Sequence, residues 1–506
     1  MLKMTYFSDI YFDYLSHSPY LSYLPYLPYF FVLILCIILP SYFFFYNKFF
    51  FAKKNLPPSS LEREIKEEDD ISSSGGFVAL LRKLHAKQGP VVLSKIPLAN
   101  TISVVDTMII KESLHNGDRP KDLFKFLEPI IGEDNLQIFD TERAQRFRKL
   151  TGSAFGNQIL SNKFEGIRNI AIDLVSRWEK IFNTQENVII KTQQECYEFS
   201  LRITAYIISD VQLQDLDFQE FRRAYDTILS NVYDRQFGIS SDDKDFQNGF
   251  NFYHSILDKL IDTKNNIIKN GKDQENKDFL DILISENNPD TGEPFSYEMI
   301  KSFIGVYLTA GYHTTGVAIP FTLFSLTQYP DIQKKLHEEI DQILEGSLPT
   351  FEDLSKMHYL TQVIKESLRL HPPASFCARL FKSSNSFKLS LNEELPITPG
   401  TTILYPIPLY HENPEYFDDP LTFNPSRFSP ENNKKIKQNA WCPFGFGARI
   451  CPGEKMAMMD AKLLISLILQ KFTLELAMKV EDVITEERFT NISKNDILVK
   501  LIPRNM

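Results

Sequence analysis

A mainly α-helical domain with small β-sheets, carried behind an N-terminal membrane anchor, is the fold class this sequence predicts. Three observations predict it. Hydrophobic residues recur at helical spacing through most of the chain beyond residue 77. Strand-like runs are sparse and cluster near the ends. An uncharged apolar stretch, YFFVLILCIILPSYFFFY, fills residues 29–46. The 506 residues suffice for one large core. No internal repeat or long low-complexity linker divides them after residue 77. A formal net charge of −10 argues against general nucleic-acid binding. The five cysteines, Cys36, Cys196, Cys377, Cys442 and Cys451, are scattered and odd in number. That argues against a disulfide framework, and no CxxC or zinc-finger spacing occurs.

Taken in order, residues 1–28 read as a tail and 29–46 as a transmembrane anchor of near-spanning length. Tyr20, Tyr23 and Tyr26 precede the span, Tyr29 opens it, and Tyr42 and Tyr46 lie near its other end, as interfacial aromatics do. Lys48, Lys53 and Lys54 follow, so the positive-inside tendency places the C-terminal side in the cytoplasm. Pro40 kinks the span, which leaves a re-entrant or interfacial segment open. A cleaved signal peptide is the weaker reading, because a basic n-region and a small-residue cleavage site are both missing. Residues 47–76 form a linker, stiff at NLPPSS and then charged. The body, 77–506, opens with a short hairpin, VVLSKI (91–96) against TISVVD (101–106). Ser296 caps a helix that runs to about Gln328, roughly 45–50 Å long, with a kink at Pro320. Pro330 starts the next helix, striped by Ile332, Leu336, Ile340 and Ile343, and Gly346 closes it.

WCPFGFGARICPG, residues 441–453, carries the chemistry. Gly445 and Gly447 permit positive φ and close backbone approach. Pro452 suits the first position of the apolar helix that follows. Cys451 is then placed at a helix N-terminus, beside Arg449 and under exposed amide donors, all of which lower a thiol pKa. Cys442 has no such neighbours and reads as a small buried hydrophobe. A thiolate so prepared serves either as a nucleophile with a distant histidine base or as a metal ligand. One thiolate with no second local ligand suits haem iron.

Phe444-x-x-Gly447-x-Arg449-x-Cys451-x-Gly453 resembles the haem-binding signature of the cytochrome P-450 superfamily. KESLRLHPP (365–373) resembles its E-x-x-R helix, with Glu366 and Arg369 on one helix face. FNPSRF (423–428) resembles the segment whose arginine, Arg427, joins that pair, although Ser426 stands where an acid is usual. AGYHTT (310–315) resembles the oxygen-binding motif. GDRP (117–120) and YHENPEYFDDPLTFNPSRF (410–428) keep the family's order and spacing.

The resemblance implies a mostly helical single domain holding haem b (heme, iron protoporphyrin IX), with Cys451 as axial ligand. Arg449, Arg379 and Arg148 would meet the propionates, guanidinium forks suiting carboxylates. Ala144 stands where the family's tryptophan contact belongs. Ala310 and Gly311 are small, which lets the long helix pass close to the haem face. Thr314 can turn its hydroxyl into the helix or toward the oxygen site. His313 replaces the usual acid, and both a proton relay and a plain hydrogen bond across the helix stay open. The activity implied is insertion of one oxygen atom from O2 into a small apolar substrate, lipid-like or sterol-like, although Arg449 departs from the sterol-demethylase branch. Electrons would come from NADPH through NADPH-cytochrome P-450 reductase, with cytochrome b5 as an accessory donor. Arg146, Lys149, Lys435, Lys437 and Lys455 are candidates for a basic docking face or, equally, for solvated surface charges. The place implied is the endoplasmic reticulum membrane, with the catalytic domain facing the cytoplasm. A haem-thiolate isomerase or dehydratase of peroxides, and a non-catalytic haem sensor, are the alternatives.

Overall fold

The computed structural model describes residues 76–504, apart from 95–99, 115, 183–186, 237–243, 272–276, 391–392 and 488–489. The chain divides into two units, 1–59 and 60–506, and the described residues belong to the second. The tail, the 29–46 span and the linker up to residue 75 lie outside the described residues. Among the described residues no helix is long and apolar enough to cross a membrane.

Ten helices longer than ten residues dominate the described part. They are α1 (Phe77–Gln88), α2 (Thr141–Thr151), α3 (Asn157–Phe182), α4 (Thr192–Ser209) and α5 (Phe218–Gln236). Next come α6 (Lys244–Lys269), α7 (Tyr297–Gln328), α8 (Pro330–Leu344), α9 (His358–Leu370) and α10 (Glu454–Lys471). The longest, α7, has 32 residues, about 48 Å at the α-helical rise. It starts where the sequence puts it: the Ser296 side chain accepts a hydrogen bond from the Met299 N–H at 3.2 Å. It continues through Pro320 without interruption. Apolar residues surround α7 on nearly all sides because neighbours cover it all round, so no single stripe marks it.

Helix α8 begins at Pro330 and buries Gln333, Leu336, Ile340 and Leu344. Its end differs from the expected Gly346 cap. Glu345 already takes the left-handed conformation, φ 48°, and Gly346 follows at φ 80°. The Glu345 N–H still bonds the Asp341 carbonyl, so the helix closes one residue earlier at the strain cost of a non-glycine there.

The sheets are small. β1 (Val91–Ser94) and β2 (Thr101–Val104) pair antiparallel, Val91 opposite Val104. β2 then pairs in parallel with β7 (Thr401–Pro406), which pairs antiparallel with β4 (Phe376–Phe381). A second sheet has the order β3 (Val188–Lys191), β11 (Leu498–Pro503), β8 (Phe472–Leu476). β5 (Asn385–Lys388) with β6 (Glu394–Ile397), and β9 (Thr485–Glu487) with β10 (Asn491–Ser493), are isolated hairpin pairs. The strand run at 376–406 and the mid-chain β3 go beyond the few strands visible in sequence. Every residue of β7 is buried, so the strand lacks polar–apolar alternation.

Candidate functional site

The cysteine loop is built by its glycines. Gly447 has φ 63°, and a Cβ there would stand 2.2 Å from the Leu114 carbonyl oxygen. Only glycine lets the chain approach so closely. Gly445 has φ 73° and faces the Cys377 sulfur. The Cys451 N–H donates to the Phe444 carbonyl at 2.9 Å, closing the turn. Helix α10 begins at Glu454 with Gly453 as its N-cap. Pro452 therefore precedes the cap rather than opening the helix. Cys442 is buried, and its N–H donates to His411 Nε2 at 3.0 Å.

The thiol of Cys451 behaves differently from the sequence expectation. Burial pushes it up from the ordinary value, against the Gly453 N–H and the Arg148 charge, which pull it down. Desolvation outweighs the helix end and the cation together. Cys451 nevertheless keeps accessible surface. Protein still packs closely enough around it for desolvation to dominate its thiol.

Around this cysteine the chain collects positive charge. Arg148 donates to the Ile450 carbonyl at 2.7 Å and reaches that of Ala448 at 3.4 Å. Arg379 donates to the Phe446 carbonyl at 2.8 Å. Arg449 donates through Nη2 to the carbonyls of Leu136 and Phe139, while its Nε and Nη1 are buried without a partner. Arg148 Nε is likewise unpartnered. Arg119 joins them. Burial, then the charges of Arg449, Arg379 and Arg148, hold its guanidinium well below the usual arginine range. Arg449 is brought down to about 9 by burial and by Arg148 and Arg379. Among the described residues none of these four arginines forms a salt bridge. Four neighbouring cations, two of them with orphaned donors, make a site for an anion. Arg119 escaped the sequence reading; its only signal was an arginine between turn residues in GDRP.

Opposite lies α7. From Phe303 to Leu323 every residue is buried except Ala310, Gly311, Thr314 and Ala318. Ala310, Thr314 and Ala318, at i, i+4 and i+8, form one open strip on a buried helix. The Thr314 hydroxyl donates to the Ala310 carbonyl at 2.8 Å. Gly311 points elsewhere: a Cβ there would stand 2.4 Å from Thr204 Oγ1 of α4. Its smallness serves the α4–α7 contact. The charge of Cys451 reaches Tyr307 on α7, whose hydroxyl burial pushes up to about 12. His313 is buried, with Nδ1 2.6 Å from Thr490 Oγ1.

Behind the loop the three-residue network is assembled. Arg369 clasps Glu366 through Nε at 2.7 Å and Nη2 at 2.8 Å, with both side chains fully buried. Arg427 reaches Glu366 at 3.3 Å, and the Asn424 N–H donates to the same oxygen at 2.8 Å. Arg369 also donates to the carbonyls of His411, Pro420 and Thr422. His411 closes the circuit: Nδ1 bonds the Arg369 carbonyl at 2.9 Å while Nε2 accepts from Cys442. One neutral histidine thus ties the α9 network to the cysteine loop. Sequence reading passed over it in YHENPEYF.

On the exterior, Arg146 is paired with Asp290 and Glu142, and Lys435 bonds Asn432. Arg146 is thus no free docking charge, whereas among the described residues the Lys435 bond to a neutral amide leaves its charge uncompensated. A cleft of about 440 Å³ between α3 and α4, with Asp173, Arg177, Glu198 and Arg202, holds none of the site residues, and its charges pair with each other.

The cytochrome P450 family model matches residues 70–500, nearly the whole described body. The chain belongs to the cytochrome P450 family. It is similar to a cyclooctat-9-en-7-ol 5-monooxygenase of Streptomyces melanosporofaciens, 34% identical over 40% of this chain and 42% of that protein. It is similar to a lithocholate 6-beta-hydroxylase of Mesocricetus auratus, 37% identical over 40% and 39%. A third relative is cytochrome P450 3A13 of Mus musculus, 33% identical over 46% of each. The chain spans less than half the length of each of these relatives. The cofactor of a P450 is haem b, and the residues present fit it. The orphaned guanidinium atoms of Arg449 and Arg148 suit propionates, and Cys451 is a free, accessible thiol among them.

Proposed function

We propose that this P450 is a haem-thiolate monooxygenase that inserts one oxygen atom from O2 into an apolar substrate. Cys451, accessible yet closely surrounded by protein, beside four arginines of which none forms a salt bridge among the described residues, is the observation that carries the reading. Cys451 would ligate the iron, and Arg119, Arg148, Arg379 and Arg449 would hold the propionates. When bound, the haem would supply the activation of O2, which consumes two electrons and two protons from outside, and Cys451 would hold it through its deprotonated sulfur. The chain's own part is to bind, orient and keep the chamber dry.

Gly445 and Gly447 fix the cysteine turn, and Arg148 and Arg379 grip its carbonyls. The Glu366–Arg369–His411 circuit holds the loop from behind. Ala310 and Ala318 leave room along the strip, and Thr314 holds its hydroxyl proton on the Ala310 carbonyl, from which a small rotation frees it. His313 stands behind that turn. Names such as lithocholate hydroxylase among the relatives support a lipid-like substrate. The electrons would come from NADPH through a reductase, with cytochrome b5 accessory, at the endoplasmic reticulum membrane. The uncharged 29–46 stretch supports that placement.

The test is the absorption spectrum of the reduced protein with carbon monoxide, for wild type and Cys451→Ala. A strongly red-shifted Soret band, lost in the variant, is expected. A band at the histidine-ligated position in wild type would sink the assignment. NADPH oxidation with reductase and lithocholate as probe then separates a monooxygenase from a peroxide isomerase, which consumes no NADPH.

A further inference from the structure

His313 occupies the turn of α7 that carries Thr314, yet its ring points away from the open strip. It lies between the rings of Tyr197 at 5.4 Å and Tyr225 at 5.9 Å. Its Nδ1 is 2.6 Å from Thr490 Oγ1. Thr490 is 2% exposed, and among the described residues its hydroxyl has no other partner. A buried hydroxyl proton needs an acceptor. Nδ1 is the acceptor within reach, so the hydroxyl donates and Nδ1 accepts. The ring is then neutral, with its proton on Nε2. The reverse arrangement, Nδ1–H donating to Oγ1, strands the hydroxyl proton in the interior.

Thr490 cannot drift, because the next residue is clamped. The Asn491 N–H donates to the Pro373 carbonyl at 2.9 Å, and its side-chain amide donates to the Pro372 carbonyl at 2.8 Å. Its side-chain oxygen accepts from the Ser375 hydroxyl at 2.9 Å. One turn therefore grips α7 through His313 and, through Asn491, the segment that leads into β4 and Arg379. The contact joins residues 177 positions apart, which is why the sequence hides it.

We propose that Thr490 is a positioning residue: its hydroxyl fixes the tautomer and plane of His313, and with them the rotation of the helical turn that carries Thr314. The consequence for turnover rests on the monooxygenase reading, whereas the tautomer itself does not.

The experiment uses the full chain, labelled with nitrogen-15 at histidine, in the diamagnetic carbon-monoxide-bound reduced state. Wild type, Thr490→Val, Thr490→Ser and His313→Gln are compared, the last identifying the His313 signals by their loss. Wild type is expected to show Nδ1 bare and Nε2 protonated. Thr490→Val is expected to lose that preference by about fivefold, the worth of one neutral hydrogen bond, and Thr490→Ser to keep it. Hydrogen peroxide released per NADPH should rise in Thr490→Val and return to the wild-type level in Thr490→Ser. A wild-type ring protonated on Nδ1 overturns the proposal even if the valine variant does not fold. So does a valine spectrum identical to wild type, or a changed tautomer with unchanged peroxide release. If the carbon-monoxide band reports a histidine ligand in every variant, the monooxygenase reading fails, and the tautomer still decides the assignment of Thr490.

Discussion

His411 carries the strongest single-residue prediction. Its two ring nitrogens face a carbonyl and an N–H, so only the neutral ring satisfies both. Burial, helped by the Arg369 charge, brings its pKa down from 6.5 to about 3. His371, also buried next to Arg369, is brought to about 4. With the folded values below the unfolded one, the unfolded chain takes up the proton first. The stabilising effect is whole above about pH 6.5 and is lost as pH falls from there toward 3–4. At 1.4 kcal/mol per unit this is on the order of several kcal/mol for His411 alone. Urea midpoints should therefore fall between pH 6.5 and 4 more steeply in wild type than in His411→Gln. Equal slopes would refute the role given to the ring. Haem should also leave the wild type faster at the acid end, since a protonated ring repels the Cys442 N–H that ties down the loop.

Between elements, the contact of α4 with α7 decides how the open strip is held. Tyr197, Ser200 and Thr204 of α4 face Gly316, the Tyr312 carbonyl and Gly311 of α7. The Ser200 hydroxyl donates to the Tyr312 carbonyl at 2.7 Å, two residues before Thr314. Two glycines let the helices come this close. Replacing Gly311 by Ala gains about 1 kcal/mol of helix propensity. It also sets a Cβ 2.4 Å from Thr204 Oγ1 and 2.7 Å from Cγ2, and overpacking of this kind costs about 1–3 kcal/mol. Overpacking wins because both contacts belong to one buried β-branched side chain whose χ1 is restricted in a helix. Gly311→Ala should lower the urea midpoint, and Thr204→Ala should restore much of it by removing both atoms. Additive effects in the double variant would show that the seam does not couple them. The starts of α7 and α8 were legible in sequence because Ser296 and Pro330 act on their own neighbours. The seam was not, because Gly311 meets a residue 107 positions earlier, and its smallness read equally well as clearance for the haem.

Across the whole molecule the same division holds, and it explains how the site is charged. Features set by the local chain were readable: Glu366 with Arg369 one turn on, and the positive φ of the glycines around Cys451. Arg119, His411 and Thr490 were not, since each acts on a distant stretch of chain that only the fold brings near. Their convergence has a cost. Arg119, Arg148, Arg379 and Arg449 repel one another in a poorly solvated interior, as the depressed Arg119 and Arg449 show. Neighbouring unit charges several ångströms apart oppose each other by roughly 2 kcal/mol at an effective dielectric of about 20. Such a cluster weakens the fold on its own and strengthens it once two carboxylates enter, so stability and ligand retention pull in opposite directions. Arg119→Gln separates the two. It should raise the melting temperature of the protein prepared without haem. In the loaded protein it should speed haem transfer to an acceptor apoprotein by about tenfold, the loss of one charge-assisted hydrogen bond. A variant less stable without haem would show Arg119 to be a packing residue. A variant more stable in both states would show that its charge serves no anion, and the arginine cluster would need a different ligand.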